Sequence, residues 1–330
     1  MEINEFIQRF TSGETQFIGA MLAGIDLSHA DLIGINLAKA NLQKSNLLFA
    51  YLSRADFTGA NLVEANFSGS NLNQASFLGA NLHRAEFHGA ILQKADFKES
   101  HLTLANFLDA NLIEADFRNA DMNNANLKGA CLRSANLRQE KRTRGVNLKG
   151  ANLDKADLQG SDLKGAELKG ASLIGTNLRD VNLRGADLTG ADLTEANLNG
   201  AFLTDAICVG TKFIGANLAN VKMERVNMTD AELAMVNMES AAMPEAKFIR
   251  CNLVQANMSF ARMNRADFSR SNLYGAILRN ASLMEVFFAR TNLSSADMTN
   301  ANLIGADLSS ANTLSVNFSS AIMPDGQVYH

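Results

Sequence analysis

Five histidines, three cysteines and 34 carboxylates are the groups from which this chain could build chemistry. Paired carboxylates could shuttle protons, cysteines at close spacing could hold zinc, and a His beside a Ser or Cys could drive nucleophilic attack. Their spacing argues for none of these. Cys131, Cys208 and Cys251 lie far apart and replace small or apolar residues of a repeat, so they read as buried free thiols. His83 and His101 are 18 residues apart and could be surface neighbours, but two histidines make no metal site and read as solvated. The acids sit mostly in one repeated slot, as Asp56, Asp96, Asp116, Asp157, Asp187 and Asp192 do, which assigns them to turns. No phosphate loop is readable, and neither an enzyme nor a cofactor is expected.

The chemistry that does stand out is basic. The stretch "RQEKRTRGVNL" contains Arg138, Lys141, Arg142 and Arg144, with Arg133 and Lys149 nearby. Residues 1–127 carry a net charge of −6, residues 128–184 a net of +6, and residues 185–330 a net of −4. Such a belt suits an acidic protein partner. The whole chain, at −4, lacks the basic excess of a nucleic-acid binder, so no direct nucleic-acid contact is expected.

What must position these residues is a five-residue beat. A small residue, a polar one and a large apolar one are followed by two variable positions. The apolar centres run from Phe17 to Leu137, then from Leu148 to Met323, which gives 61 units. A period of five is neither the 3.6 of a helix nor the 2 of a strand. It fits a chain that turns a corner every five residues and sends one large side chain inward per side. The small residue two before each centre implies a narrow bore. Of 23 glycines, 20 lie two residues after a centre, where a corner favours positive φ. Asn or Asp before most centres can bond local backbone and hold the turn.

This run of "ANLxx" and "ADLxx" resembles the pentapeptide-repeat family, over nearly the whole chain. The resemblance implies an all-β solenoid, a right-handed quadrilateral β-helix with four pentapeptides per coil, hence about 15 coils and roughly 70 Å of length. Twenty residues per coil then predict ladders in the core. Phe57, Phe77, Phe97 and Phe117 stack on one side, with Phe67, Phe87 and Phe107 opposite. Phe248, Phe268 and Phe288 form a third ladder, and Met223, Met243 and Met263 line another side.

The ends need covers. Ile3, Phe6, Ile7 and Phe10 fall on one helical face, so residues 1–14 read as a capping helix. Residues 15–323 read as one continuous β-helix with a bulge at 138–147, and 324–330 as a capping tail that begins at the Pro-Asp-Gly turn of "MPDG". Similar tails occur in cyanobacterial members of the family. At the bulge, one apolar centre is missing near Arg142, and one side of the coil is expected to bow outward.

Apolar residues replace Asn or Asp at Tyr51, Ile91, Phe202, Ile207, Ile277, Phe287 and Ile322, and these are expected to point outward. Phe202, Ile207, Val209 and Ile214 fall within one coil and form a candidate contact patch, with Leu48, Phe49 and Tyr51 a smaller one. A homodimer through the C-terminal end, near Phe287 and Thr313, is the expected self-association. Neither a secretory signal nor a membrane span is evident, so a cytoplasmic protein is expected.

The functional expectation is a rigid, non-enzymatic scaffold binding protein partners through its faces and its basic loop. Cyanobacterial members of the family include regulators of heterocyst patterning thought to bind proteins. The alternative is a DNA mimic that binds a type II topoisomerase, as quinolone-resistance members do. The +6 belt argues against a continuous acidic face.

Overall fold

The structure is a computed structural model that describes residues 3–140 and 145–330. The chain divides into two compact units, Met1–Glu167 and Leu168–His330, here the N-terminal and C-terminal units.

In the N-terminal unit, from Gln16 to Asp116, the residue before each centre forms a parallel bridge to the residue 20 positions on: Asn36 to Asp56, Asn41 to Asn61, Asn46 to Asn66, Tyr51 to Asn71. Four bridged positions per 20 residues give each coil four sides. The register is locked by backbone bonds. Leu37 N donates to Asp56 O at 2.7 Å, and Lys39 N to Thr58 O at 2.8 Å. Each corner is a tight turn in which Ala40 N donates to Leu37 O at 3.0 Å. Its third residue needs positive φ, as type II turns do. Glycine fits that need, yet Lys39 sits there at φ 58° and Phe49 at 55°. The bond from the corner N–H to the next coil holds these residues where isolated chain would resist.

The side chain before the centre caps the turn from outside, as Asn36 Oδ1 accepts from Ala38 N at 3.0 Å. The same amides also bond along the stack. Asn61 Nδ2 donates to Asn41 Oδ1 at 3.2 Å, and Asn126 Nδ2 to Asn106 Oδ1 at 2.9 Å. In the C-terminal unit, Asn197, Asn217, Asn237 and Asn257 form such a ladder.

Inside, the predicted phenylalanine ladders are present. Phe57, Phe77, Phe97 and Phe117 stack at 4.8–5.1 Å with rings within 7° of parallel. Phe67, Phe87 and Phe107 stack at 4.8–5.0 Å. The two ladders meet edge to face across the bore, as at Phe97 and Phe107, 5.7 Å apart and at 90°. Both geometries suit the aromatic quadrupole. Phe248, Phe268 and Phe288 stack at 4.8 and 5.6 Å in the C-terminal unit, and Met223, Met243 and Met263 are fully buried.

The first coil is met by helix α1 (Ile3–Thr11), whose Phe6 is buried 4.6 Å from Phe17. Arg9 bonds Glu14 and lies 5.3 Å from the Phe17 ring. At the other end, Met323–Gly326 turns the chain back, and Val328 pairs antiparallel with Ile322. Tyr329 reaches Phe318 at 5.7 Å, but Leu308 is only half-buried and Leu314 is 71% exposed. Among the described residues, no helix is long and apolar enough to cross a membrane.

Candidate functional site: the root of the basic loop

The bridges locate the irregularity. Asp121 pairs with Asn147, Asn126 with Asn152, Cys131 with Asp157 and Asn136 with Asp162, each 26 residues apart instead of 20. The coil therefore keeps all four sides and takes six extra residues at one corner, between Asn136 and Asn147. The expected outward bow of a whole side is corrected: no apolar centre is missing from the wall, since Leu137 and Leu148 are both buried. An insertion at a corner leaves every ladder bond on the sides intact, which makes it the cheapest place for added chain.

Its root is fastened on both sides. Arg118 grips Asp116 with two bonds, Nε to Oδ1 at 2.9 Å and Nη2 to Oδ2 at 2.6 Å, and its Nη1 donates to Glu140. Bonding to Asp116, opposed by desolvation, raises the Arg118 pKa further above its ordinary value. Gln139 N donates to Lys164 O at 2.7 Å. On the return, Gly145 lies so close to the next coil that a Cβ there would sit 2.1 Å from Gly165 O. Val146 is buried, its carbonyl accepts from Glu167 N at 3.0 Å, and Asn147 Nδ2 donates to Asp121 Oδ1 at 2.8 Å.

Of the predicted contact residues here, Arg138 is exposed at the loop's first position. Lys141, Arg142 and Arg144 lie outside the described residues. Sequence reasoning missed a column of bases that includes Arg138. Lys98, Arg118, Arg138 and Lys164 each follow a centre on the same side, on four successive coils. The signal was the 20-residue spacing of the first three, and the insertion hid the fourth. Lys98 pairs with Asp96 at 3.0 Å, and Arg118 is held as described. Nearby bases are also paired, Lys149 with Glu167 at 2.6 Å and Arg133 with Asp157 at 3.6 Å.

The second predicted patch is not brought together. Phe202, Ile207 and Lys212 bridge along three successive sides of the coil. Phe202 therefore lies on one side, Ile207 and Val209 on the next, and Ile214 on a third. Four residues within one coil's length wrap around it instead of sharing a face. Phe202 is moreover flanked by the Arg184 guanidinium at 4.6 Å and the Lys222 ammonium at 5.1 Å from its ring. Ile207 is 41% exposed, while Val209 and Ile214 are half-buried. Phe49 and Tyr51 are both exposed, and Phe49 stacks on His29 at 5.5 Å.

His83 Nδ1 bonds the Thr103 hydroxyl at 2.6 Å. Among the described residues, no three or more His, Cys, Asp or Glu gather as a metal site would require. Burial raises the pKa of the Cys208 thiol and pushes that of Cys251 up to about 12, so neither is a ready nucleophile.

A family model of pentapeptide repeats matches the chain in eight copies, over residues 15–59, 60–99, 100–139, 144–180, 171–207, 206–243, 245–280 and 288–323. The chain belongs to the pentapeptide-repeat family. The family carries the right-handed quadrilateral β-helix, of which the four-sided register above is the local expression. Among solved structures, the chain is similar to HetL from the cyanobacterium Nostoc sp. strain PCC 7120, a pentapeptide-repeat protein involved in heterocyst differentiation regulation. The identity is 25%, all of both chains is covered, and the TM-score is 0.25. It is also similar to QnrB1, a plasmid-mediated fluoroquinolone resistance protein, at 17% identity over 68% of this chain and 85% of that one, with a TM-score of 0.29. A third is Rfr23 from the cyanobacterium Cyanothece 51142, at 18% identity over 62% and 98%, with a TM-score of 0.15. No curated protein sequence matches the chain.

Proposed function

We propose that this pentapeptide-repeat protein is a non-enzymatic scaffold that binds an acidic protein partner at the basic loop, residues 138–147. The observation that carries this reading is the fastened root. Arg118 ties Asp116 to Glu140, and Gly145 is wedged against Gly165, so the basic residues start from a fixed base. A contact segment anchored at both ends loses less conformational freedom on binding. Arg138 adds its exposed charge at the edge of a column of bases.

The test replaces Arg138, Lys141, Arg142 and Arg144 with Ser and compares partner recovery by affinity capture and cross-linking. Unchanged recovery removes the loop from the binding surface. A DNA gyrase supercoiling assay separates this scaffold from a DNA mimic, and no inhibition or protection at micromolar protein leaves the mimic reading without support. In the same reading the 61 units wind into about 15 coils, with α1 as the cap of the first. The last coil, with Leu308 half-buried and Leu314 exposed, serves self-association. A monomeric mass by light scattering at high micromolar concentration would remove that last element.

A further inference from the structure

Corner arginines in the C-terminal unit follow a rule. Arg225 bonds Asp205 at 2.7 Å, Arg250 bonds Asp230 at 2.6 Å, and Arg265 bonds Glu285 at 2.7 Å, each pair at one corner on neighbouring coils. Arg279 reaches Asp297 at 2.5 Å. Three of the five arginines at such corners in this unit are thus neutralised by an acid one coil away.

Arg270 and Arg290 break the rule. They occupy the same corner as Asp230 and Arg250 on the next two coils, with Arg270 N bonded to Ala289 O at 2.8 Å and Arg290 N to the Ser310 hydroxyl at 3.0 Å. Both are exposed, and neither has an ion pair among the described residues. Asp230, the acid of that column, is already held by Arg250 through two bonds. The adjoining side offers no substitute. Its bridged positions run Asp267, Phe287, Asp307, so the place level with Arg290 is an exposed ring. Asp267 Oδ1 accepts from Ser269 N, and Asp307 Oδ1 from the Ser309 amide and hydroxyl. On the other side stand the uncharged amides of Asn252, Asn272 and Asn292. Two like charges on coils about 4.8 Å apart repel unless an anion sits between them. Guanidinium forks suit carboxylates.

We propose that the Arg270–Arg290 corner is a second docking site, for an acidic peptide segment of a protein partner whose carboxylates bridge the two guanidiniums. This goes beyond the loop and rests only on the scaffold reading. The test is fluorescence anisotropy of a labelled octaglutamate peptide with the full chain at low salt. The expected result is a tenfold or greater loss of affinity in the Arg270→Ser/Arg290→Ser double variant. The control double variant Arg225→Ser/Arg265→Ser, with the same change in charge, is expected to lose less than twofold. Equal losses in the two, no loss in the first, or no binding by the parent chain would each overturn the proposal. If instead the four-Ser loop variant alone abolishes binding, the corner site fails while the loop reading stands. All the substituted corner arginines are exposed and outside the core, and unchanged thermal melting confirms that the variants fold.

Discussion

The two units solve the same packing problem with different side chains. Between Phe57 and Phe117 the N-terminal unit sets phenylalanine against phenylalanine across the bore, each preceded by Ala two residues earlier. Between Met223 and Met263 the C-terminal unit uses methionine, and Val221, Val226 and Val236 take the Ala position before Met223, Met228 and Met238. Beside each of these rings the small position holds only a methyl. A thin, flexible thioether leaves room for a larger neighbour. The difference teaches that a flexible methionine accepts either neighbour, since Ala241 and Ala261 stand before Met243 and Met263. It also separates a rigid wall, interrupted once by the corner insertion, from an adaptable one.

Truncation should show the contrast most strongly. Phe97→Ala removes a ring that touches Phe77, Phe87, Phe107 and Phe117 and should cost about 3–5 kcal/mol in urea unfolding. Met243→Leu, a swap of similar volume, should cost less than about 1.5 kcal/mol. Comparable losses would show that the methionine wall is as specifically packed as the aromatic one.

The insertion offers the next test. Gly145→Ala pushes a methyl into Gly165 backbone and should cost roughly 1–3 kcal/mol, more than Gly79→Ala, where nothing lies within 4 Å and only the corner φ is strained. If Gly79→Ala proves the costlier, the root of the loop is looser than its geometry indicates.

Acid should act through the turn carboxylates. Burial raises the pKa of Asp187 and Asp192, but bonds from Thr189 and Thr194 outweigh it and leave both lowered, with help from Lys169 and Lys212. A depressed folded pKa stabilises above the unfolded value, near 3.8, and that contribution fades as pH falls through the folded value. The Asp187→Asn variant should therefore show a shallower loss of stability on acidification below about pH 4. An identical slope in thermal melts across that window would assign the acid sensitivity elsewhere.

The smallest effect is chemical rather than energetic. Cys131 of the N-terminal unit, expected to be buried, instead takes the outer Asn slot and is half-exposed, so it should alkylate first with iodoacetamide at pH 8, while Cys208 and Cys251 react only on unfolding. Native labelling of Cys251 in mass spectrometry would show that its side of the coil opens.

Much of this was legible because a period of five with one Leu or Phe per beat admits few folds. The ladders at Phe57 and Phe67 follow from a 20-residue count. The amide ladders were not legible, since the Asn that caps a turn and the Asn that bonds the next coil are the same letter. The Phe202–Ile214 grouping failed because nearness in sequence within a coil means different sides, not one surface. The Lys98–Lys164 column was hidden because six added residues shift the register for everything that follows.

The sequence by itself determined the beat, the inward residues and the identity of the corners, because each is enforced locally by side-chain size and turn chemistry. The tertiary structure decided what meets what. Whether Arg118 holds Glu140, whether Gly145 can bear a side chain, and whether Arg270 finds an acid depend on which coil lies above. That is a matter of register, which a single count of residues can change.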